Sequence, residues 1–367
     1  MKITISKEEL LRGLQAVQNV VGTRSTLPIL GNVLLKAVEK KLELRATDLD
    51  VSVEGAVGAD VSLEGTTTLP AKRFFGLVRE IENGEIEIEV NNKNECSVNA
   101  GASKYKLRGI AAEEFPALPK FKESGQVKIG QSKFREMLRK TSYAISSDET
   151  RIVLNGLLIK LEDDKISIVA TDGRRMALVE EQIEGDGAKE EFIVPAKAIG
   201  ELNRLMGTTG EVGIRMSDTQ VEFSLTQENA EETKIYSKLI EGKYPDYRQV
   251  IPKDSDQRVS LGREELLHAL RRAEQVTSDK ANSVSLNFNN NNLTISANSP
   301  EVGEGRESLA INYKGPEIEV SFNPSFLMDP LKILESDEVH IELKDKLSPG
   351  VLKSNTPFLY VLMPMRG

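Results

Sequence analysis

The sequence has few of the residues that covalent and metal chemistry need. Its 367 residues include one cysteine, two histidines and no tryptophan. The single cysteine, Cys96, has no partner for an intrachain disulfide, which is typical of a reducing compartment such as the cytoplasm. We expect Cys96 to be a buried apolar residue, because it alternates within a strand-like run and has no histidine nearby.

Motifs for catalysis are also missing. There is no glycine-rich phosphate loop, no dinucleotide fingerprint, no HExxH and no CxxC. His268 falls in a helix pattern and His340 in a strand pattern, and neither has an evident catalytic partner. Asp48 and Asp50 could hold Mg²⁺, but they lie between strand-like runs and are better explained as turn residues. The sequence thus assembles no nucleophile, base and orienting group, and its motifs do not support a cofactor or metal site.

Long apolar runs are absent as well. No stretch approaches the roughly 20 residues of a membrane span, and Met1 leads into a strand-like run instead of a secretion signal. We expect a soluble, cytoplasmic protein.

The sequence does contain one pattern of strand and helix markers that occurs three times. The markers recur in unchanged order, about 124 residues apart from the first copy to the second and about 130 from the second to the third, a spacing that indicates domain-scale triplication. They include Leu69-Pro70-Ala71-Lys72, Val194-Pro195-Ala196-Lys197 and Asn323-Pro324-Ser325-Phe326. The predicted domains are residues 1–122, 123–254 and 255–367, each near the commonest size for one core.

Each domain in turn repeats a smaller βαβββ unit. In the first, Ser6 and Glu9 form a capping-box pattern before a helix, and three short alternating runs follow, as in an antiparallel meander. The unit restarts at Thr67, where Pro70 introduces a second helix. The predicted fold class is α+β, with two such units in each of three tandem domains.

Charge is distributed unevenly between helices and the rest of the chain. The net charge is −9, from 48 basic and 57 acidic residues. The six predicted helices sum to roughly +6, which leaves about −15 on strands and loops. A basic helical face opposite an acidic sheet face would explain this, but so would solvated helices that simply favour lysine and arginine.

Four separated motifs make the chain resemble the bacterial DNA polymerase III beta subunit family, the sliding clamps. They are Thr26-Leu-Pro-Ile-Leu-Gly-Asn32, Ala170-Thr-Asp-Gly-Arg-Arg-Met176, Tyr244-Pro-Asp-Tyr-Arg248 and Tyr360-Val-Leu-Met-Pro-Met-Arg366. The resemblance runs end to end. It implies a head-to-tail homodimeric ring of clamp domains, with helices lining the inside around duplex DNA and antiparallel sheets outside.

The resemblance also implies a function without catalysis. The clamp would tether the replicative polymerase to its template, binding double-stranded DNA without sequence specificity and without a cofactor. Positions similar to DNA-facing residues of the family are Arg24, Lys72, Arg73 and Lys197. Lys133 and Arg135 join them on the helix pattern alone, and for these two a solvated face explains the pattern equally well.

Partners of this family, namely the polymerase, the clamp loader and repair proteins, dock through short peptides. The docking groove is apolar, and methionines suit a surface that accepts several sequences. Arg174, Gln249 and Gly367 depart from residues common in the family, so contacts at the rim are in question. The positions that match groove residues are Leu154, Thr171, Gly173, Arg174, Arg175, Met176, Pro245, Gln249, Val250, Leu347, Val361, Leu362, Met363, Pro364, Met365 and Arg366.

Ring closure by family position would bring Tyr105 and Leu107 of one chain against Gln275 and Val276 of the other. Two rival classes stay open on the residues alone. A repeat-built adaptor that binds protein but does not encircle DNA would need no basic lining, and an enzyme would need a deep pocket with convergent polar groups.

Overall fold

The computed structural model describes residues 1–22, 27–82, 84–119, 121, 126–183, 189–227, 231–255, 257–278 and 282–365. These form 25 β-strands and six α-helices. The helices are α1 (Lys7–Val17), α2 (Ala71–Glu80), α3 (Gln131–Thr141), α4 (Ala196–Leu205), α5 (Arg263–Glu274) and α6 (Pro324–Ile333).

The strands follow the predicted βαβββ units, with one addition. The first repeat contains β1 (Lys2–Ser6), β2 (Asn32–Val38), β3 (Lys41–Thr47), β4 (Val51–Gly58), β5 (Asp60–Leu63), β6 (Gly65–Pro70), β7 (Glu85–Val90), β8 (Glu95–Ala100) and β9 (Ser103–Arg108). Strand β5 was not predicted. It is mostly exposed and pairs with β1, so no alternation of buried residues marks it in the sequence.

The described residues of the second and third repeats form eight strands in each. Those of the second are β10 (Val127–Gly130), β11 (Gly156–Glu162), β12 (Lys165–Thr171), β13 (Arg175–Gln182), β14 (Glu190–Pro195), β15 (Glu211–Met216), β16 (Gln220–Thr226) and β17 (Thr233–Lys238). Those of the third are β18 (Gln257–Gly262), β19 (Val284–Asn289), β20 (Asn292–Ser299), β21 (Gly303–Ala310), β22 (Ile318–Phe322), β23 (Glu338–Leu343), β24 (Gly350–Lys353) and β25 (Phe358–Leu362).

The chain divides into two compact units. The first comprises described residues of 1–135 and 197–239, and the second those of 136–183, 189–196 and 240–365. The first unit holds a five-stranded sheet, β5-β1-β7-β8-β9, and an eight-stranded sheet, β10-β15-β16-β17-β4-β3-β2-β6. The second holds an eight-stranded sheet, β14-β11-β12-β13-β25-β24-β23-β18, and a four-stranded sheet, β21-β20-β19-β22.

Strand pairing joins neighbouring repeats within each unit. In the first unit β4 of the first repeat pairs with β17 of the second, and in the second unit β13 pairs with β25 of the third. All these ladders are antiparallel, as predicted. Strands β9 and β21 each end a sheet and have a partner strand on one side only among the described residues.

Local sequence explains how the first helix is placed. The Ser6 hydroxyl accepts from the Glu9 backbone N–H at 3.2 Å, so the predicted N-cap is confirmed. The reciprocal half of the capping box does not form, because the Glu9 carboxylate bonds Arg12 instead. Leu10, Leu14 and Val17 are fully buried, and replacing one of these leucines by alanine is expected to cost about 2–5 kcal/mol.

Candidate functional site

An apolar cluster in the second unit brings together Leu154, Met176, Val250 and Val361 of the predicted groove residues. We call it the Val361 cluster. Val361 lies opposite Met176 in the β13–β25 ladder, and Leu154 comes from the 3₁₀ turn before β11. Val250 packs against its edge. The buried members are Leu154, Leu158, Val169, Met176, Leu178, Ile193, Tyr244, Tyr247 and Val361.

Several of these residues were missed at the sequence level. Leu158, Val169 and Leu178 belong to strands that are buried on the side of the cluster. The alternation of apolar residues marks such positions as buried but cannot tell whether they line a binding site or belong to the core. Tyr244 and Tyr247 belong to the Tyr244-Pro-Asp-Tyr-Arg248 motif, which was a usable signal. The Tyr244 hydroxyl bonds the Thr171 backbone N–H at 3.0 Å, so this motif helps to hold the neighbouring turn.

A tight turn, residues 171–175, links β12 to β13 beside the cluster. The Asp172 carboxylate accepts from the backbone N–H groups of Arg174 at 2.9 Å and Arg175 at 3.0 Å. The Thr171 hydroxyl accepts from Gly173 N–H and donates to the Arg175 carbonyl. Gly173 has φ +83°, and a Cβ there would lie 2.7 Å from Arg151 Nη1, so glycine suits both the backbone and the space.

Arg175 is turned inward from this turn, with its side chain 10% exposed. Its Nε donates to Asp172 at 3.0 Å, its Nη2 to the Tyr143 carbonyl at 2.7 Å, and its Nη1 to Asp329 on α6. The guanidinium carbon lies 4.2 Å from the centre of the Phe326 ring. The guanidinium is thus engaged on three sides within the protein.

Electrostatics keep this charge in place. Burial lowers the pKa of Arg175, but the hydrogen bond to Asp329 and the charge of Asp172 favour the charged form, and the pKa lies above its ordinary value. Burial also raises the pKa of Tyr360, which therefore keeps its proton and donates to the Phe326 carbonyl at 2.9 Å. The arrangement is a permanently charged guanidinium among neutral tyrosines and two carboxylates.

The remaining predicted groove residues lie around the cluster. Arg174, Pro245 and Gln249 are exposed, and Gln249 donates to Asp246 at 3.1 Å. Leu347 is 69% exposed. In the tail, Leu362 is buried in β25, Met363 and Pro364 are half-buried, and Met365 is exposed. Two backbone bonds fix this tail, from Met363 N–H to the Arg174 carbonyl and from Met365 N–H to the Ser321 carbonyl. Arg366 and Gly367 lie outside the described residues.

A polar cavity of about 280 Å³ adjoins Arg175. Arg151 borders it, bonding the Asp172 carbonyl at 3.2 Å, and the Arg174 guanidinium has no partner among the described residues. The cavity therefore offers cationic donors next to an apolar cluster. Its lining is Ile145, Ser146, Ser147, Asp148, Arg151, Asp172, Arg174, Arg175 and Phe326.

The first repeat gives an internal comparison, because part of its equivalent surface is polar. At the positions of Val169 and Leu178 it has Arg45 and Glu54, which are joined by an Nε–Oε2 bond of 2.8 Å. Tyr236 takes the ladder position of Val361 and stacks on Phe121, with ring centres 6.0 Å apart. The first repeat keeps a smaller apolar cluster of Ile29, Leu30 and Phe115.

This chain has relatives along its whole length. Family models of the DNA polymerase III beta subunit match its N-terminal domain at residues 1–119, its central domain at 128–246 and its C-terminal domain at 248–366. The Beta sliding clamp of Chlamydia muridarum is 34% identical, with 100% of this chain and 99% of the relative covered. That of Escherichia coli K12 is 33% identical, with all of both chains covered.

The chain belongs to the DNA polymerase III beta subunit family. A solved beta subunit from Pseudomonas aeruginosa matches with a TM-score of 0.95 at 34% identity, covering all of both chains. Three tandem clamp domains are therefore confirmed, while their exact boundaries stay a prediction. Membership also confirms a non-catalytic processivity subunit.

The basic residues expected to face DNA in this clamp differ in their surroundings. Lys72 and Arg73 on α2 and Lys133 on α3 are exposed. Arg135 is half-buried, and its Nε has no partner among the described residues. Lys197 on α4 is paired with Asp48 of the β3–β4 turn. Arg24 lies outside the described residues.

Not all helical charge contributes to a basic face. Lys140 on α3 is buried, with its Nζ 2.5 Å from Glu136 and 3.2 Å from Thr356. Lys140 is therefore ion-paired and covered, and it does not belong to the exposed cations of α3.

The residues expected at the subunit boundary lie on or beside sheet edges. Tyr105 and Leu107 are on the edge strand β9, exposed and half-buried respectively. Gln275 and Val276 follow α5, exposed and half-buried. Val276 lies beneath β21, where a Cβ on Gly305 would come 2.7 Å from its Cγ2.

Other sequence-level candidates have structural roles. Cys96 is buried, and burial raises its pKa to about 12. The Asp48 carboxylate accepts from the N–H groups of Asp50 and Val51, so it forms a turn, as predicted. Among the described residues no group of carboxylates, histidines and cysteines is arranged to hold a metal. No helix in the described part of the chain is long and apolar enough to cross a membrane.

Proposed function

We propose that this sliding clamp encircles duplex DNA as a head-to-tail homodimer and tethers the replicative polymerase to it. The observation that carries the ring is the strand-pairing rule between repeats. Each repeat consists of two βαβββ halves. The last strand of the first half of one repeat pairs with the last strand of the second half of the next repeat, as β4 does with β17 and β13 with β25. By the same rule β21 of one chain pairs with β9 of another.

The rule also gives a register for that joint. Val53 pairs with Ile235 in the first unit, and the corresponding residues of β21 and β9 are Gly305 and Tyr105. Tyr105 would then lie over Gly305 and reach Val276 beneath it, while Glu304 would face Lys106. Two such joints close a ring of six domains, and edge strands otherwise open to aggregation are covered.

Binding to DNA would be electrostatic and independent of sequence. The exposed Lys72, Arg73 and Lys133 supply positive charge on helices, against a net charge of −9 for the chain. A sliding ring gains nothing from base contacts, because each would hold it at one site. The helices would therefore line the inside of the ring, with Arg24, Arg135 and Lys197 contributing as well.

Partners would dock at the Val361 cluster. An extended peptide with bulky apolar anchors would pack on Leu154, Val250, Val361 and Met363, and the backbone of the tail would fix its direction. Candidate partners are the polymerase catalytic subunit, the clamp loader and other proteins with such a motif. In the first repeat the Arg45–Glu54 pair stands at the positions of Val169 and Leu178, which argues against a second such site there.

Retention on circular DNA tests the proposal. The clamp is loaded on a nicked circular plasmid, and bound protein is measured before and after the plasmid is linearised. A clamp stays on the circle and is lost from the linear form, whereas an adaptor that does not encircle DNA behaves alike on both. Equal retention on the two forms would reject encirclement. We place this activity in the cytoplasm, which fits the single buried thiol.

A further inference from the structure

We propose that Arg175 is a positioning residue that fixes the shape of the Val361 cluster, and that a bound peptide does not contact its guanidinium. This inference rests on the proposed peptide-docking function. The three donor bonds to Asp172, the Tyr143 carbonyl and Asp329 join three separate segments of the second unit. They leave the guanidinium stacked on Phe326 and largely covered.

The first repeat contains the same turn, which indicates what the turn is for. Asp48 accepts from the N–H groups of Asp50 and Val51 as Asp172 accepts from those of Arg174 and Arg175. Leu49 has φ +79°, matching the +83° of Gly173. Thr47 also repeats both bonds of Thr171. The two turns are therefore equivalent in detail.

Each turn receives the same position of a helix from the following repeat. Lys197 and Phe326 are equivalent by the repeated Pro195 and Pro324 motifs. Lys197 pairs with Asp48 in the first unit, and Phe326 stacks on Arg175 in the second. The turn is thus a docking point for the next repeat's second helix, and Arg175 is the residue that makes this contact in the second unit.

Arg175 is coupled to the groove through the backbone on both sides. It pairs with Leu362 in the β13–β25 ladder, and its neighbours Arg174 and Met176 contact Met363 and Val361 respectively. The Tyr360 hydroxyl, one residue before Val361, bonds the carbonyl of the same Phe326. A shift of α6 relative to the turn would therefore move the strand that carries Val361 and the tail that carries Met363.

The Asp329→Asn variant distinguishes positioning from contact, because Asp329 is not in the cluster. We measure the Kd of a short fluorescein-labelled peptide with leucine and phenylalanine anchors by anisotropy. Loss of the Asp329 charge should weaken binding about tenfold, within the range of coupling in connected networks. Lys332→Gln is the matched control, since it removes the other partner of Asp329, at 3.3 Å, and leaves the Arg175 bridge intact. It should bind as the unchanged chain does.

Arg175→Lys and Arg175→Gln complete the test. Lysine keeps the charge but cannot bond three segments at once, so it should restore only part of the affinity lost with glutamine. The Arg175→Gln/Asp329→Asn pair should lose little more than Arg175→Gln alone. The inference would be overturned if Asp329→Asn bound the peptide with wild-type affinity. It would also be overturned if the affinity losses of the two single variants added up in the double variant. Failure of the unchanged chain to bind any such peptide would instead overturn the docking proposal itself.

Discussion

Lys197 on α4 forms an ion pair with Asp48 in the β3–β4 turn, so a residue expected to face DNA is already engaged by a neighbouring repeat. The lysine side chain is 45% exposed and the aspartate 21%. DNA phosphates would have to compete with Asp48 for this charge. Lys197 therefore takes part both in the contact between the first two repeats and in the surface expected to face DNA.

The Asp48→Asn variant should be slightly less stable than the unchanged chain at neutral pH. An amide oxygen can still accept the turn bonds, so the change isolates the ion pair, which is worth less than about 1 kcal/mol at this exposure. Thermal unfolding monitored by circular dichroism measures it. Asp50→Asn is the control, because its pair with Lys238 is more exposed, and an equal effect from both would show that Asp48 is not special.

The same difference should depend on pH. Burial raises the pKa of Asp48, but bonds from Lys197 and the Val51 N–H outweigh burial, so the pKa lies below its ordinary 3.8. A lowered pKa means that the stabilisation is present above about 3.8 and is lost as pH falls through the folded-state value. The unchanged chain and Asp48→Asn should therefore converge in unfolding temperature in acid, and a gap that does not shrink as the pH falls below 3.8 would contradict the assignment.

Leu107→Asp should convert the dimer to a monomer. The change places a carboxylate on the edge strand β9, where the proposed joint with β21 would bury it beside apolar groups. Analytical ultracentrifugation gives the mass. Leu63→Asp is a control on β5, since Leu63 is 61% exposed at the far edge of the same sheet. A dimeric Leu107→Asp chain would reject this joint.

Direct affinity for short linear duplex should be weak, about micromolar or poorer, and should fall as salt is added. The chain has a net charge of −9 and offers few cations to the DNA phosphates, so binding releases few counterions from the DNA. Removing Lys72 and Arg73 together should lower the slope of log affinity against log salt by about 1–2. Tight binding to linear DNA at physiological salt would favour a repressor-like protein over a sliding one.

Deleting the tail should abolish peptide binding and polymerase stimulation but leave the dimer intact. Leu362 is buried in β25, so the deletion should begin after it. Removing residues 363–367 takes away Met363 and the tail's bonds to Arg174 and Ser321. Fluorescence anisotropy and primer extension measure the two losses. A truncated chain that still stimulates polymerase, or that becomes monomeric, would contradict the tail's role.

The sequence predicted the repeats and the α+β units because both depend on local pattern. Capping at Ser6, proline before α2 and alternation in β2, β3 and β4 all act over a few residues. The turn at Asn290 and Asn291 is typical, with φ of +46° and +59° as asparagine tolerates. Strand β5 was not predicted, because it is mostly exposed and its residues do not alternate between buried and exposed positions.

The candidate site could be predicted only in part. The resemblance pointed to Leu154, Met176 and Val361, which the fold brings together. It gave no sign that Tyr244 supports the turn through Thr171, because that bond spans 73 residues. Nor did it indicate that Lys140 is buried, since a lysine on a helix pattern normally reads as solvated.

The sequence by itself determined three similar domains, their strand and helix order, and the absence of catalytic motifs, since these follow from periodicity and composition. The tertiary structure decided which charges are free. Arg175 and Lys197 look like surface cations in the sequence. In the structure Arg175 pairs with Asp329 of the third repeat, and Lys197 pairs with Asp48 of the first. Such pairs depend on the distance between segments far apart in the chain, and that distance is set by packing and strand register instead of local pattern.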